Sequence, residues 1–357
     1  MEENIEKMIE AAIQAPSGEN CQPWKFEIVN NKINIFNVPE RDQSLYNFDQ
    51  RGSLVAHGAA IKNIIISASE LGYKTNIDIF PNKSDANLIA TVSLIKSMPV
   101  REPLYEYIFK RTTNRKPYQA TVLTEDQKKY IFGIETFASD IKIKFTDDLK
   151  KIDDLSNTIN LNEQIIFENK HLHDFFFDHI RWTDEESESI RNGFYIKTLE
   201  LKPPQIKAMN LFKNWRILNL FNRVLGVSKK IAADNAKTYK SSAVMGVIII
   251  PKSDAINFVK AGMLFEQIWL RVTKLGLSLQ PVTGVLFLMQ KILSGRTQEF
   301  TTVQINLIKD AYQKIKNIFD VTEGDIALLF RIGEGGTPSA RSPRMVQSEF
   351  LQSSKIL

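Results

Sequence analysis

The sequence has few of the residues that staple small folds, bind structural metals or cross membranes. Its 357 residues include one cysteine, Cys21, which excludes an internal disulfide and a multi-cysteine metal site. The longest apolar runs, such as 247–250, are far too short to cross a bilayer. The first residues have neither the basic nor the apolar region of a signal peptide. With 43% hydrophobic and 24% charged residues, we expect a soluble, globular, cytoplasmic protein without a stable membrane span.

Familiar catalytic and metal-binding motifs are also missing. The patterns GxSxG, HExxH, the P-loop and GxGxxG after a strand do not occur. Three of the four histidines, His171, His173 and His179, lie close together in sequence, but their spacing on a helix would scatter the imidazoles around its axis. We therefore predict no metal site. The net charge of +5 is modest and no recognised nucleic-acid-binding module is present, so we expect no nucleic-acid partner.

Acidic residues are absent from one long stretch, residues 201–233. Such a block could face an anionic partner, a cofactor phosphate or a membrane surface. It could also be the solvated face of helices, and we put this plain interpretation first. The basic residues of the stretch are Lys202, Lys207, Lys213, Arg216, Arg223, Lys229 and Lys230.

Hydrophobic periodicity predicts an alternation of helices and strands along the chain. Helical spacing of apolar residues predicts a helix over residues 4–15, and a two-residue turn at Asn30 and Asn31 predicts a β-hairpin. Thr124 followed by Gln127 is typical of a capping box that opens a helix. Further strands are predicted over 76–80, 88–95, 141–145, 244–250 and 326–332.

One helical pattern near the N-terminus recurs near the C-terminus. The segment that begins at Gly58 has the apolar spacing of the segment that begins at Gly262, a constant offset of 204. Because other elements recur in the same order, we predict two copies of one α+β unit, residues 1–104 and 105–357. The second copy contains an aromatic-rich helical insert at about 150–240, which could be a lid over a site or extra packing between the halves.

Residues 15–24 have the composition of a ligand-binding loop. They run from the end of a helix into a strand through small and polar residues. Such a loop could present the side chains of Ser17 and Asn20 to a flat heteroaromatic ligand. The alternative is an ordinary helix-to-strand turn, in which Cys21 is a small packing residue.

A second candidate segment, residues 110–117, is rich in arginine and threonine. In an extended chain Arg111, Thr113 and Arg115 project on one face, which is typical of an anion site. Two further arginines, Arg341 and Arg344, follow the last predicted strand and could close on the same anion. Taken singly, each cluster could also be a solvated loop.

Taken together, four segments resemble the FMN-dependent nitroreductase family: APSGENCQPWKF, RTTNRKPY, LGLSLQPVTG and the ending FRIGEGGTPSARSPR. The resemblance implies a three-layer α/β/α sandwich with a mixed, mainly antiparallel sheet, duplicated in one chain. In that family two identical chains share two FMN sites. Here the motifs are divided between the repeats, since the second repeat reads ETFASD at its junction, residues 135–140. The resemblance is thus to the tandem-duplicated, Acg-like branch, in which an intramolecular pseudo-dimer has one composite site; further homodimerisation is left open.

The resemblance also implies which residues contact the cofactor. Thr283 stands where family members carry glutamate, so its contact to N5 would be made by the backbone amide. Around the FMN phosphate and ribityl chain would lie Arg111, Thr113, Arg344 and Arg341, with Arg115 at the N1–O2 edge of the isoalloxazine ring. Around the ring itself would lie Pro16, Ser17 and Asn20 and, on the N5 side, Gln280, Pro281, Thr283 and Gly284, with Asn235 or Lys237 as a further contact.

The function implied by this resemblance is that of an FMN-binding oxidoreductase. It would reduce nitroaromatic or quinone-type acceptors with NAD(P)H in a ping-pong cycle. Flavin chemistry needs no catalytic side chain as a base, which agrees with the missing motifs, and a cation at the ring edge stabilises the reduced anion. The alternative is an FMN-binding or flavin-sequestering protein with little turnover, in which the insert is a lid. A third hypothesis treats residues 201–233 as a membrane-binding or partner-binding segment.

Overall fold

The computed structural model describes residues 2–119, 121–134 and 140–352. Helices and mainly antiparallel strands alternate along the chain, so the predicted α+β class is confirmed. Residues 135–139, which form most of the predicted junction in the second repeat, lie outside the described residues.

The helices agree closely with the predicted periodicity. The capping box that opens α4 is formed, since Thr124 Oγ1 accepts a hydrogen bond from Gln127 N at 3.2 Å and Gln127 Oε1 accepts one from Thr124 N at 2.9 Å. Within the described residues, none of the helices combines the length and apolar character needed to span a bilayer. The helices are α1 (Glu2–Ala12), α2 (Arg51–Glu70), α3 (Tyr105–Lys110), α4 (Glu125–Phe132), α5 (Leu149–Ile159), α6 (Leu161–Ile166), α7 (Lys170–Asp178), α8 (Asp184–Ile190), α9 (Pro203–Phe212), α10 (Trp215–Leu225), α11 (Val227–Lys240), α12 (Ala255–Lys274), α13 (Gly284–Leu293) and α14 (Thr302–Ile318).

The strands lie where alternation or short apolar runs predict them, apart from the strand Ser278–Pro281 and three two-residue strands, which were not predicted. The predicted hairpin is formed, and Asn30 in its turn has a positive φ of 56°, a conformation that asparagine tolerates. The strands are β1 (Trp24–Val29), β2 (Lys32–Asn37), β3 (Tyr73–Ile79), β4 (Leu88–Lys96), β5 (Lys142–Thr146), β6 (Ile180–Arg181), β7 (Phe194–Tyr195), β8 (Val244–Ile250), β9 (Ser278–Pro281), β10 (Asp325–Gly333) and β11 (Leu351–Gln352).

Two sheets have the same internal strand order. In the first sheet the order is β1-β2-β4-β3, all antiparallel, with β11 added beside β1 in parallel orientation. In the second sheet the order is β5-β8-β10-β9, all antiparallel. Each set of four strands, numbered along the chain, is therefore arranged first, second, fourth, third. The sheets are mixed but mainly antiparallel, as predicted.

The second sheet is buried on both faces. On one face of β8, Val244, Ile248 and Ile250 pack in a core shared with α1, α2, α12 and the first sheet. On the other face, Met245, Val247 and Ile249 pack in a core formed with the insert helices and with α13 and α14. This double burial explains why β8 is a continuous apolar run instead of an alternating one. The insert is therefore a packing layer that covers a sheet face.

The two longest helices, α2 and α12, cross in direct backbone contact. A Cβ atom on Gly58 would lie 2.0 Å from the Val259 carbonyl oxygen, and one on Gly262 would lie 2.0 Å from the Val55 carbonyl oxygen. Only glycine permits so close an approach at both positions. The glycines that mark the sequence repeat are thus the two residues at which these helices meet.

The C-terminal segment returns to the first sheet. Phe26 N donates a hydrogen bond to Phe350 O at 2.8 Å, next to the parallel pairing of β11 with β1. Met345 N donates to Gln22 Oε1 at 3.0 Å. This crossing fixes Arg341 and Arg344, which lie just before it, against the loop that follows α1.

Replacing Gly58 with alanine should destabilise the protein by at least about 2 kcal/mol, because the new methyl group collides with backbone of the opposite helix. The loss should exceed the roughly 1 kcal/mol that alanine gains in helix propensity. Urea unfolding followed by circular dichroism measures the change. Gly52→Ala is the matched control on the same helix, since its Cβ would meet only Asn47 Oδ1 at 3.2 Å. Equal stabilities of the two variants would contradict the tight crossing.

Candidate functional site

Two adjoining cavities lie between the loop after α1, the arginine-rich segment 110–117 and the insert. The small cavity has a volume of about 60 Å³ and is lined mainly by polar and cationic side chains. The chamber has a volume of about 370 Å³ and a mainly apolar lining. The two share one wall, so a single ligand could extend through both. The shared residues are Pro16, Ser17, Glu19, Thr113, Arg115 and Phe194.

The structure brings all twelve predicted site residues to these cavities. Their roles toward a ligand stay predictions. Asn235 also lines the chamber, whereas Lys237 is exposed and pairs with Asp234 at 2.8 Å, so Lys237 is not a chamber residue. The small cavity has Asn20, Arg111, Arg341 and Arg344, the shared wall has Pro16, Ser17, Thr113 and Arg115, and the chamber has Gln280, Pro281, Thr283 and Gly284.

Backbone pairing holds the predicted segments together. Thr113 forms a parallel bridge with Leu279, which ties the arginine-rich segment to β9 and so to Gln280 and Pro281. In the loop after α1, Glu19 and Asn20 have positive φ values of 46° and 57°. These left-handed residues turn the loop sharply, and a turn of this kind is costly unless its surroundings support it.

Arg111 is held in place by two buried residues of α12. Its side chain is 2% exposed, and its Nε lies 3.3 Å from Oε1 of Glu266, which is fully buried in α12. The guanidinium also lies over the ring of Trp269, 4.4 Å from the centroid, a cation–π arrangement. Nη2 donates to Gln14 O at 2.6 Å. The indole is thus both a core residue, as its helical spacing predicts, and part of the chamber lining.

Four arginines line the small cavity, Arg111, Arg115, Arg341 and Arg344, against one carboxylate in the lining, Glu19. Glu266 lies behind Arg111 as a second carboxylate. Burial lowers the pKa of Arg344 to about 9, and the neighbouring charges of Arg111 and Arg341 add to the effect. Burial and the charge of Arg111 likewise lower the pKa of Arg341 to about 10. Glu266 offsets part of this repulsion. A bound anion would remove the excess positive charge, so the electrostatics favour an anion here.

Arg344 and Asn20 differ from the expectation that they face a ligand freely. The Arg344 guanidinium donates to the carbonyls of Ile13 at 3.0 Å and Ala15 at 3.3 Å, and also to Asn20 Oδ1. The Asn20 amide in turn donates to the Pro343 carbonyl at 2.9 Å. These bonds join the end of α1 to the C-terminal segment. Both side chains therefore build the wall of the small cavity.

The insert supplies nearly half of the chamber lining. The rings of Phe175, Phe176 and Phe194 come from α7 and β7, and further apolar groups come from α9 and α11. The aromatic cluster in α7 can be recognised from the sequence. Its place at this wall could not, because it depends on the tertiary packing of the insert. The sequence leaves open a lid over a site or extra packing between the halves; in the structure the insert is a wall of the chamber and a packing layer on the second sheet.

Polar side chains of the chamber wall are joined by hydrogen bonds. Tyr239 Oη donates to Glu163 Oε1 at 2.8 Å, and Tyr46 Oη donates to Asn162 Oδ1 at 3.0 Å. Burial raises the pKa of Glu163 to about 7, against the opposing effect of the Tyr239 hydrogen bond. No sequence motif identifies Glu163, because its significance depends on this apolar surrounding.

Cys21 and two acids of the chamber lining, Asp42 and Glu19, form a second polar group. The Cys21 thiol is buried and lies 3.9 Å from Asp42 Oδ2, and burial raises the pKa of the thiol well above its usual value. Burial also raises the pKa of Asp42 and of Glu19. A thiol that stays protonated fits a packing residue. Within the described residues, no group of histidine, cysteine and acidic side chains is arranged to hold a metal ion.

Comparison with solved structures gives only low similarity. The FMN-dependent nitroreductase NfnB from Mycobacterium smegmatis in complex with NADPH aligns with 71% of this chain and 98% of its own, at 10% identity and a TM-score of 0.41. A nitroreductase with bound FMN from Bacteroides fragilis aligns with 72% of this chain and 98% of its own, at 9% identity and a TM-score of 0.37. TM-scores this low do not assign the chain to a fold family.

Sequence comparison gives distant relatives in Mycobacterium tuberculosis, while no family model matches the chain. "Uncharacterized protein MT1398" is 23% identical over 356 residues, 96% of this chain and 47% of the relative, so this chain spans about half the length of that protein. "Putative NAD(P)H nitroreductase acg" is 24% identical over 207 residues, 55% of this chain and 59% of the relative. "Putative NAD(P)H nitroreductase Rv3131" is 25% identical over 118 residues, 32% of this chain and 34% of the relative. These similarities support a distant relation of this chain to the nitroreductase family.

Proposed function

We propose that this chain binds FMN and transfers electrons from NAD(P)H to a small-molecule acceptor of the nitroaromatic or quinone type. The observation that carries the proposal is the junction of a cationic cavity with an apolar, aromatic chamber through a shared wall. FMN has the matching shape, an anionic phosphate at one end and a flat heteroaromatic ring at the other. The distant relatives named as NAD(P)H nitroreductases support the same activity.

The residues present fit such a ligand. The small cavity is lined by four arginines and one carboxylate, so it has more positive than negative charge, which a phosphate would balance. Arg111 donates a hydrogen bond to Gln14 O, and Arg341 donates to Phe109 O and Gln14 Oε1. Both contact fewer acceptors than Arg344 does, so we assign the phosphate to Arg111 and Arg341. Arg344 has its guanidinium directed to the carbonyls at the end of α1, and we assign it to holding the cavity wall.

Residues around the chamber would orient the ring. Arg115 donates to Thr198 O at 3.1 Å through Nη1, which leaves other N–H groups for the electron-rich edge of a bound flavin. Pro16 and Ser17 would contact one side of the ring. Gln280, Pro281, Thr283 and Gly284 would contact the N5 side, where α13 begins. When bound, FMN would supply the hydride and electron-transfer chemistry.

The insert would exclude water and hold a proton near the acceptor. Phe175, Phe176 and Phe194 give the chamber an apolar wall, in which electrostatic interactions are stronger than in water. With a pKa raised to about 7, Glu163 would be partly protonated at neutral pH and could donate a hydrogen bond or a proton to an oxygen of the acceptor. Its partner Tyr239 would hold the carboxyl group in place.

We further propose that residues 1–104 and 105–357 are two copies of one unit, fused as a pseudo-dimer with a single composite site. The equal strand order of the two sheets supports this, as does the crossing of α2 and α12 at Gly58 and Gly262. The offset of 204 pairs Glu266 with Lys62. Because lysine cannot replace the carboxylate beside Arg111, the first copy lacks the support for a second arginine site.

A second candidate function is flavin binding with little turnover. The observation that favours it is the aromatic wall that the insert adds to the chamber, since such a wall could block a hydride donor. The two functions differ in whether bound flavin is reduced by nicotinamide.

Purified protein should bind FMN with a stoichiometry near one per chain, measured by absorption after desalting. NADH or NADPH should bleach the flavin band under anaerobic conditions, and a quinone or nitroaromatic acceptor should restore it. Tight FMN binding without bleaching would favour the second candidate. Absence of FMN binding would contradict both functions, and two FMN per chain would contradict the single composite site.

Arg341→Gln and Arg344→Gln should have different effects. Arg341→Gln should weaken FMN binding by roughly tenfold or more, because a charge-assisted hydrogen bond is lost, with little change in Tm. Arg344→Gln should lower the free energy of unfolding by roughly 1–3 kcal/mol, because buried carbonyls at the end of α1 lose their donors. Flavin fluorescence quenching and thermal unfolding measure the two effects. The assignment is wrong if Arg341→Gln leaves FMN affinity unchanged or destabilises the protein as much as Arg344→Gln does.

Ionisation of Glu163 should make folding stability depend on pH. Its pKa in the folded protein, about 7, lies above the usual 4.5, so the folded state binds more protons between these values and loses stability as pH rises from 4.5 to 7. Relative to Glu163→Gln, the wild type should lose roughly 2–3 kcal/mol over this range. Urea unfolding at several pH values measures the difference. Glu185→Gln, an exposed change in the same insert, is the control, and a constant gap between wild type and Glu163→Gln would exclude the raised pKa.

A further inference from the structure

The outward faces of α9, α10 and the start of α11 form one surface, which we call the α9–α11 surface. Their inward faces pack in the second core or line the chamber, as Met209 of α9 and Ile231 of α11 do. On α10, Leu218 is fully buried, whereas Arg216, Leu220, Arg223 and Val224 are exposed. These four exposed residues lie at positions i, i+4, i+7 and i+8, so they share one face of the helix.

All charged residues of the segment that forms this surface are basic, although Glu168 from a neighbouring loop accepts a hydrogen bond from Ser228 Oγ at 2.6 Å. Acidic residues are absent from 201–233, so the nearest acids in sequence are Glu200 and Asp234. Within the described part of the chain, none of the cations of 201–233 forms an ion pair with a side chain. The next lysines that do so are Lys237 and Lys240 of α11. The surface therefore attracts an anionic partner. Its exposed cations are Lys202, Lys207, Lys213, Arg216, Arg223, Lys229 and Lys230.

Large apolar side chains are exposed among these cations. The exposed fractions are 45% for Leu211, 60% for Leu220, 71% for Val224 and 50% for Leu225. Single exposed apolar residues are ordinary, but four within fifteen consecutive residues of an acid-free segment are not. Apolar groups flanked by lysine and arginine are typical of helices that lie in the headgroup region of an anionic bilayer.

Other partners fit the α9–α11 surface less well. A second copy of the chain would place the same cations against one another across a symmetric interface, which like-charge repulsion disfavours. A nucleic acid would use the cations, but the aliphatic side chains between them offer it neither base stacking nor hydrogen bonds. An anionic lipid surface satisfies both features at once, since headgroups meet the cations and the acyl boundary accepts Leu220 and Val224.

We propose that the α9–α11 surface docks this protein on an anionic membrane surface, with α10 lying in the interface plane. The docking is peripheral, with cations at the headgroups and a few apolar side chains below them. Because the inward faces of α9 and α11 line the chamber, docking holds the chamber one helix away from the lipid. Delivery of an apolar acceptor from the bilayer would rest on the proposed oxidoreductase function; the docking itself does not.

Co-sedimentation of the full chain with vesicles tests the docking without any turnover. Binding should be strong to phosphatidylcholine vesicles with about 30% phosphatidylglycerol, weak to pure phosphatidylcholine, and reduced when NaCl is raised from about 0.1 M to about 0.5 M. No binding to the anionic vesicles, or equal binding to both kinds, would overturn the proposal. Tighter binding to a single-stranded RNA than to the anionic vesicles would also overturn it, in favour of a nucleic-acid surface.

Two variants separate the charged from the apolar contribution. Combined Lys207→Gln, Arg216→Gln and Arg223→Gln should weaken vesicle binding by about a hundredfold, at about fivefold per cation. Combined Leu220→Ser and Val224→Ser should weaken it by roughly tenfold and leave the salt dependence unchanged. An apolar variant that binds as wild type does would overturn the interfacial placement of α10.

The matched control replaces three exposed lysines of the first sheet region, Lys32, Lys74 and Lys96, with glutamine. It removes the same charge from another face and should bind vesicles within about threefold of wild type, given the short range of screened interactions. A control that loses as much binding as the α9–α11 charge variant would overturn the assignment to this surface. All variants change exposed side chains, and circular dichroism verifies that each is folded. FMN content and bleaching by nicotinamide, measured separately, report on the proposed function.

Discussion

The contact between α2 and α12 at Gly58 and Gly262 is the constraint on which the rest of the structure depends. Each glycine leaves room for a backbone carbonyl of the other helix, whose oxygen lies too close for a Cβ atom to be present. The helices can therefore pack at backbone contact, and each carries one sheet on its other side. A wider crossing would open the shared core and separate the loop after α1 from the arginine-rich segment. The site exists because the two halves meet this closely.

The same helix face continues from this contact to the candidate site. Gly262, Glu266 and Trp269 lie at positions i, i+4 and i+7, so they form one stripe along α12. The glycine makes the crossing, the carboxylate pairs with Arg111, and the indole lies beneath its guanidinium. A buried ion pair of this kind contributes little net stability. Its consequence is positional, because it fixes one cation at the floor of the small cavity while the other arginines reach in from the C-terminal segment.

Much of this organisation could be predicted from the sequence, and the failures have a common cause. Strands β1, β2, β4, β8 and β10, the capping box of α4 and the glycine repeat depend on local patterns, and these predictions agree with the structure. Twelve of the residues that line the cavities could be named from the sequence, through a resemblance that rests on short motifs, and their contacts to a cofactor stay a prediction. The direction in which a side chain points and its hydrogen-bond partners were not predicted. Lys237 faces solvent, and Arg344 donates to backbone carbonyls. Such details depend on long-range packing, which no local spacing encodes.

The insert gives a physical reason for the single composite site that we propose. The two sheets share a strand order, yet only the second is covered on both faces, because only the second unit contains α5 to α11. The chamber takes nearly half of its lining from these helices. A cavity related to it by the internal repeat would lack that wall and would lie open to water. It would also have Lys62 where the existing site has Glu266. Two independent differences, one in shape and one in charge, therefore support the proposal of one ligand site per chain.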